Sequence, residues 1–130
     1  MKFKILKTIA VTALISSVSV TAGIADILDT IKERGTLIVG VKADYKPYGF
    51  LDSSGTVIGL EPDLAQDVAD KLGVAIEYVP VVSSNRMQFL EQGKIDLMIA
   101  TMTDKPDRRK VVQIVDPNYY SSGTNVLALK

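Results

Sequence analysis

The sequence contains neither cysteine nor histidine. Without cysteine an exported chain has no disulfides to gain from, and no thiol at a cleavage site to carry a lipid. Without histidine, Ser-His-Asp and Cys-His nucleophilic machinery is excluded, together with the common zinc sites. Any chemistry has to come from carboxylates, lysine, arginine, tyrosine or hydroxyl groups. An excess of charge is missing as well: 15 basic residues face 15 acidic ones. Internal repeats, low-complexity tracts and linkers are also lacking, and 130 residues suit one domain of ordinary size.

The N-terminus reduces that domain. Lys2, Lys4 and Lys7 precede an apolar and small-residue stretch from Thr8 to Val20, then the run Thr21-Ala22-Gly23-Ile24-Ala25, and the first acidic residue is Asp26. This is the layout of a secretory signal peptide. Ser16, Ser17 and Ser19 would spoil a core helix, and the unbroken apolar part falls short of the roughly 20 residues that a bilayer demands. We expect a signal peptide over 1–25, cleaved after Ala25 with Ala22 as the alternative, and a ligand-binding lobe over 26–130. Removing the leader leaves 12 basic against 15 acidic residues, a formal charge of −3, which argues against nucleic acid or an anionic membrane as partner. A soluble periplasmic protein fits better than a tethered lipoprotein.

The mature chain alternates helical and strand patterns. Asp26 to Arg34 reads as a short helix stopped by Gly35. The apolar run Thr36 to Val41 suits a strand covered on both faces. Lys42 to Phe50 breaks every periodicity, and Asp52-Ser53-Ser54-Gly55 marks a hairpin turn. Pro62 to Leu72 is amphipathic, with proline in its first turn and Gly73 at its end. Val74 to Val82 reads as a strand, Asn85 to Gln92 as a short helix closed by Gly93, and Asp96 to Ala100 as a further strand. A helical turn from Asp104 to about Lys110, a strand from Val111 to Val115 and a final strand from Thr124 to Leu129 complete the reading. The fold class is α/β, a mostly parallel sheet with flanking helices.

The segment Ala100-Thr101-Met102-Thr103-Asp104-Lys105-Pro106-Asp107-Arg108 ends a buried strand with two hydroxyls and opens a helix, with Asp104 as candidate N-cap. Arg108, Arg109 and Lys110 crowd the start of that helix, where cations oppose the dipole. Two readings stand: a solvated basic patch, or Thr103, Arg108 and free backbone N–H groups converging on a carboxylate. Tyr45 is either an aromatic wall over a ligand or a packing ring beneath its loop. Lys42 either meets an acidic group or is merely solvated. Ser83, Ser84 and Asn85 are natural caps before Arg86, itself a natural surface residue. Glu61 and Asp63 suit a helix start, where negative charge is favourable, and read as structural rather than as a catalytic pair.

Taken together, Gly35-Thr36-Leu37-Ile38-Val39-Gly40-Val41, Pro47-Tyr48-Gly49-Phe50-Leu51-Asp52, Gly59-Leu60-Glu61-Pro62-Asp63-Leu64-Ala65, Gly93-Lys94-Ile95-Asp96, Thr101-Met102-Thr103 with Arg108, and Asp116-Pro117 with Tyr119-Tyr120-Ser121-Ser122-Gly123 resemble the family 3 solute-binding proteins, the periplasmic receptors for polar amino acids. The resemblance implies that Arg108 and Thr103 hold the ligand α-carboxylate, that Thr101 offers backbone oxygen to the ammonium and that Tyr45 stacks on the ligand. It implies that Lys42 and Arg86, basic in receptors for glutamate and aspartate, read an acidic side chain. The implied partners are an amino acid and the membrane permease of an ABC importer, with no cofactor, metal or nucleic acid and a monomeric state. The same resemblance extends to secreted cyclohexadienyl dehydratases, for which the sequence shows no carboxylate of identifiably raised pKa. Receptors of this family have two lobes that close by hinge motion. The sequence stops where the first crossing to the second lobe would begin, so we expect an incomplete receptor with poor affinity of its own.

Overall fold

The structure is a computed structural model that describes residues 27–123 and 127–129. The leader expected over 1–25 lies outside the described residues, as does part of the expected final strand.

The apolar run beginning at Thr36 becomes the central strand of the main sheet. This strand, β1 (Thr36–Val41), pairs in parallel with β5 (Ala75–Pro80) on one side and β6 (Leu97–Ile99) on the other. A strand with neighbours on both edges and helices on both faces has no solvent-facing side, which is why its residues show no polar alternation. Leu37, Val39 and Val41 point to one face, against Ile31 of α1 (Ile27–Arg34) and Ala65 and Ala69 of α2 (Leu60–Leu72). The opposite face packs Ile38 with Val81, Ile95, Ala100 and Phe89, the last from α3 (Arg86–Glu91). At Gly40 a Cβ would stand 2.5 Å from Ile95 Cδ1, so glycine there lets Ile95 lie directly on the strand.

A second, antiparallel sheet of β2 (Asp44–Tyr45), β3 (Gly49–Leu51) and β4 (Val57–Ile58) fills the stretch where periodicity fails. Its β3–β4 turn is held by Asp52, whose Oδ1 accepts from Ser54 N, Ser54 Oγ and Thr56 N, the local bonding that favours aspartate in turns. Helix α2 starts two residues before Pro62, and the proline still falls in the first turn, where its missing N–H is no loss. Gly59, at φ 129°, precedes it: a Cβ would come within 2.6 Å of Tyr48 O and 2.7 Å of Pro47 O. Those carbonyls accept from Leu60 N and Glu61 N, tying the 47–48 loop to the helix start.

The expectations after Ala100 are partly corrected. Helix α4 spans only Pro106–Arg109, with Lys105 at its N-cap position and no side-chain cap. Asp104 is not the cap, because its carboxylate is taken by Arg109 at 2.6 Å, and Arg109 also reaches Asp116 at 2.9 Å. Val111 to Val115 forms no strand. The N–H groups of Val111 and Val112 turn back to Arg108 O, and the Arg109–Asp116 pair draws the segment into a loop, leaving Val111 and Val115 exposed. Residues 127–129 are not in a strand either.

Candidate functional site: a hydroxyl-lined cleft at the strand ends

Because β1, β5 and β6 are parallel, their carboxyl ends lie at one edge of the sheet, the place where open α/β sheets bind ligands. Lys42 follows β1, Ser83 follows β5, and Thr101 and Thr103 follow β6. These residues line a cleft of about 270 Å³, joined by Tyr45 from β2 and by Tyr120 and Ser122 from the 117–123 segment. A neighbouring hollow of about 200 Å³ shares Thr103, Tyr120 and Ser122 with it.

At Thr101 the cleft wall joins a peptide unit held from both sides. The carbonyl of Ala100 accepts from Arg86 Nη1 at 2.5 Å, and the N–H of Thr101, in the same peptide plane, donates to Glu61 Oε1 at 2.5 Å. A guanidinium and a carboxylate thus grip the unit from its two polar ends. Thr101 needs this grip because its φ of 47° lies in the left-handed region, which costs a β-branched residue about 1–3 kcal/mol. The Tyr119 hydroxyl completes the cluster, donating to Glu61 Oε1 at 2.7 Å and standing 3.2 Å from Thr101 N.

Both grips are buried: Glu61 is 0% exposed and Arg86 is 7% exposed. Burial raises the Glu61 carboxyl pKa, against the opposing pull of the Tyr119 and Thr101 hydrogen bonds and of Lys42 and Arg86. Burial also lowers the Arg86 pKa, reinforced by nearby Arg108 and resisted by Glu61. The Tyr119 hydroxyl is pushed up by burial and by Glu61. Glu61 Oε2 and Arg86 Nε have no hydrogen-bond partner among the described residues.

Four of the six residues singled out from the sequence, Lys42, Tyr45, Thr101 and Thr103, line the same cleft. Arg86 and Arg108 line neither hollow. Arg108 is half-buried and donates Nη1 to Thr103 O, which leaves its other N–H groups without a partner among the described residues. Lys42 is 8% exposed, so it is not simply solvated, and its Nζ pairs with Asp44 Oδ1 at 2.7 Å. Tyr45 is half exposed and stacks on Tyr48, with centroids 5.4 Å apart, and Tyr120 and Tyr119 continue the row.

Tyr120, Ser122 and Asp44 escaped the sequence reading as site residues. Asp44 lies two residues from Lys42, but in a stretch without periodicity, so spacing alone does not put its carboxylate beside the lysine. Tyr120 and Ser122 reach the cleft only through tertiary folding.

The profile of the bacterial extracellular solute-binding proteins, family 3, matches residues 37–130. The L-cystine-binding protein TcyJ of Escherichia coli K12 is 34% identical over 120 residues, covering 91% of this chain and 44% of that protein. A glutamine-binding protein of Geobacillus stearothermophilus is 38% identical over 107 residues, covering 79% of this chain and 40% of that protein. The chain therefore spans about two fifths of the length of these relatives. Among solved structures, the arginine-bound form of domain 1 from TmArgBP superposes with a TM-score of 0.66 at 40% identity, over 68% of this chain and 71% of that one. The ancestral amino-acid-binding protein AncCDT-1, a precursor of cyclohexadienyl dehydratase, superposes with a TM-score of 0.68 at 44% identity, over 72% of this chain and 41% of that one.

Proposed function

Since the chain belongs to the bacterial extracellular solute-binding proteins of family 3, we propose that it is the first lobe of a periplasmic receptor that captures a polar amino acid and delivers it to the permease of an ABC importer. The observation that carries this reading is the convergence of Lys42, Tyr45, Thr101 and Thr103 on one cleft at the carboxyl end of the sheet. In this reading residues 1–25 export the chain, residues 26–130 form the lobe, and a second lobe closes over the ligand in a monomeric receptor. The ligand α-carboxylate seats on the Thr103 hydroxyl and on Arg108. The bond from Arg108 to Thr103 O orients the planar guanidinium and uses one of its five N–H groups, so a bidentate pair with a carboxylate remains open. The Thr101 peptide serves the ammonium group, and Tyr45 covers the ligand's apolar part. Lys42 lines the cleft and is the cation that meets the ligand side chain, with Arg86 buried on Ala100 O, and the preference for an acidic or a neutral side chain depends on how much of the Lys42 charge is left free.

The arginine-bound domain 1 of TmArgBP gives a precedent for a ligand held by a single lobe. Arg108→Ala tests the reading. With ligand at about 100 times Kd the unaltered chain gains about 2.7 kcal/mol, and the variant should lose that gain in a thermal melt while its ligand-free melt stays unchanged. Equal stabilisation of both by every amino acid that binds refutes the assignment.

A dehydratase on the same scaffold is the second reading, supported by the likeness to a precursor of such an enzyme and by the raised pKa of Glu61. It is the weaker one. Glu61 lies behind Tyr119 and Thr101 and lines neither hollow, so it has no path to a bound ring. Loss of prephenate absorbance on incubation would favour the enzyme, and saturable binding of an unchanged amino acid the receptor.

A further inference from the structure

We propose that Asp44 sets the side-chain class of the ligand: by holding Lys42 it neutralises the one cation in the cleft wall, so that the site prefers an amino acid with a neutral hydrogen-bonding side chain, a carboxamide above all, over one with a carboxylate. This rests on the receptor reading above.

Among the described residues, Lys42 is the sole charged one lining the cleft. Its side chain is 10% exposed and its Nζ sits 2.7 Å from Asp44 Oδ1, while the Asp44 side chain stays 64% exposed, between the lining residues Lys42 and Tyr45 in sequence. A ligand carboxylate approaching Lys42 must displace Asp44 or lie beside its negative charge, and like charges placed together are penalised. Arg86, the second cation expected to attract an acidic ligand, is committed elsewhere. Its guanidinium holds Ala100 O, its charge is offset by Glu61, and it lines neither hollow.

What remains in the wall is uniform in chemistry. Tyr45, Ser83, Thr101, Thr103, Tyr120 and Ser122 each carry a hydroxyl, and a hydroxyl both donates and accepts. A carboxamide offers an acceptor oxygen and a donor nitrogen and can satisfy such a wall at both ends. A carboxylate only accepts, and would leave the acceptor capacity of the hydroxyls unused while facing Asp44.

The test is an NMR titration of the full chain with glutamine and with glutamate, repeated for Asp44→Asn. Asparagine keeps the size of the side chain and the backbone pairing of β2 but releases Lys42. The unaltered chain should bind glutamine more tightly than glutamate. Asp44→Asn should move the ratio toward glutamate by roughly fivefold to tenfold, the scale of a partly exposed charge pair. Adding Lys42→Met to that variant should cancel the move, which ties the effect to the lysine rather than to a change in folding. A preference for glutamate in the unaltered chain, or a ratio that Asp44→Asn does not move, overturns the inference and leaves the receptor reading standing. Binding of no amino acid at all overturns the receptor reading and this inference with it.

Discussion

Replacing Glu61 by alanine removes the acceptor for two donors at once, Thr101 N–H and Tyr119 O–H. The two losses are unequal. Tyr119 is 43% exposed and its hydroxyl can turn to water, whereas the Thr101 N–H loses its 2.5 Å bond to the carboxylate and keeps only the 3.2 Å contact with the Tyr119 hydroxyl, and a hydrogen bond to a charged group is worth about 1.5–3 kcal/mol. The left-handed turn at Thr101 loses one of its two grips, and a cavity opens at a site that is 0% exposed. Relief from burying a charge offsets part of this. The net expectation is a loss of about 2–3 kcal/mol, or a drop in Tm of about 10–20 °C for a domain of this size. Glu61→Gln keeps one acceptor oxygen and removes the charge, and it therefore separates hydrogen bonding from electrostatics. The folded-state pKa of Glu61 is raised above its ordinary 4.5, so the folded chain holds this proton more tightly than the unfolded chain does. Its contribution to stability is then fully present below about pH 4.5 and is lost as pH climbs through the folded value. Urea unfolding at pH 4 and pH 8 should show glutamine closing its gap with glutamate, or overtaking it, at the higher pH. An alanine variant that loses less than about 1 kcal/mol, or a glutamine variant that falls further behind as pH rises, would mean that Glu61 does not hold the Thr101 turn in this way.

Gly59→Ala forces a Cβ to within 2.6 Å of a backbone oxygen at φ 129°, and should cost about 3 kcal/mol in a denaturant titration; a loss below about 1 kcal/mol would mean that the 47–48 loop yields freely. Asp96 accepts from Ile38 N at 2.9 Å and pairs with Arg34, with its side chain only 3% exposed. Asp96→Ala should therefore cost about 2–3 kcal/mol, read as faster exchange of the Ile38 amide, and unchanged protection there would count against it.

The sequence carried the scaffold wherever a local signal and a tertiary role coincide. Gly35, Gly73 and Gly93 close their helices at φ 71°, 70° and 67°, and the apolar run of β1 is buried as its composition requires. Local signals misled where the partner was distant or absent. Val111 to Val115 has the apolar content of a strand but no strand to pair with among the described residues. Asp104 has the chemistry of a cap, yet Arg109 offers it a fixed, bidentate partner. Glu61 reads as a dipole-matching residue because it sits in a helix's first turn, and nothing near it announces the peptide unit 40 positions later that it holds. Residues that grip backbone across the fold leave no trace in spacing.

The row of rings from Tyr45 through Tyr48 and Tyr120 to Tyr119 also gives the chain an optical property. The chain has five tyrosines and no tryptophan, so its intrinsic emission is tyrosine emission alone, and four of its fluorophores stand in successive contact at 5.4, 5.1 and 5.1 Å. Excitation absorbed by any of the four can migrate along the row to the pair that borders the cleft. The remaining ring, Tyr78, is tied by its hydroxyl to Pro62 O, makes none of the row's ring contacts and lines neither hollow. A ligand that enters the cleft beside Tyr45 and Tyr120 is expected to change the light the protein emits, without any label.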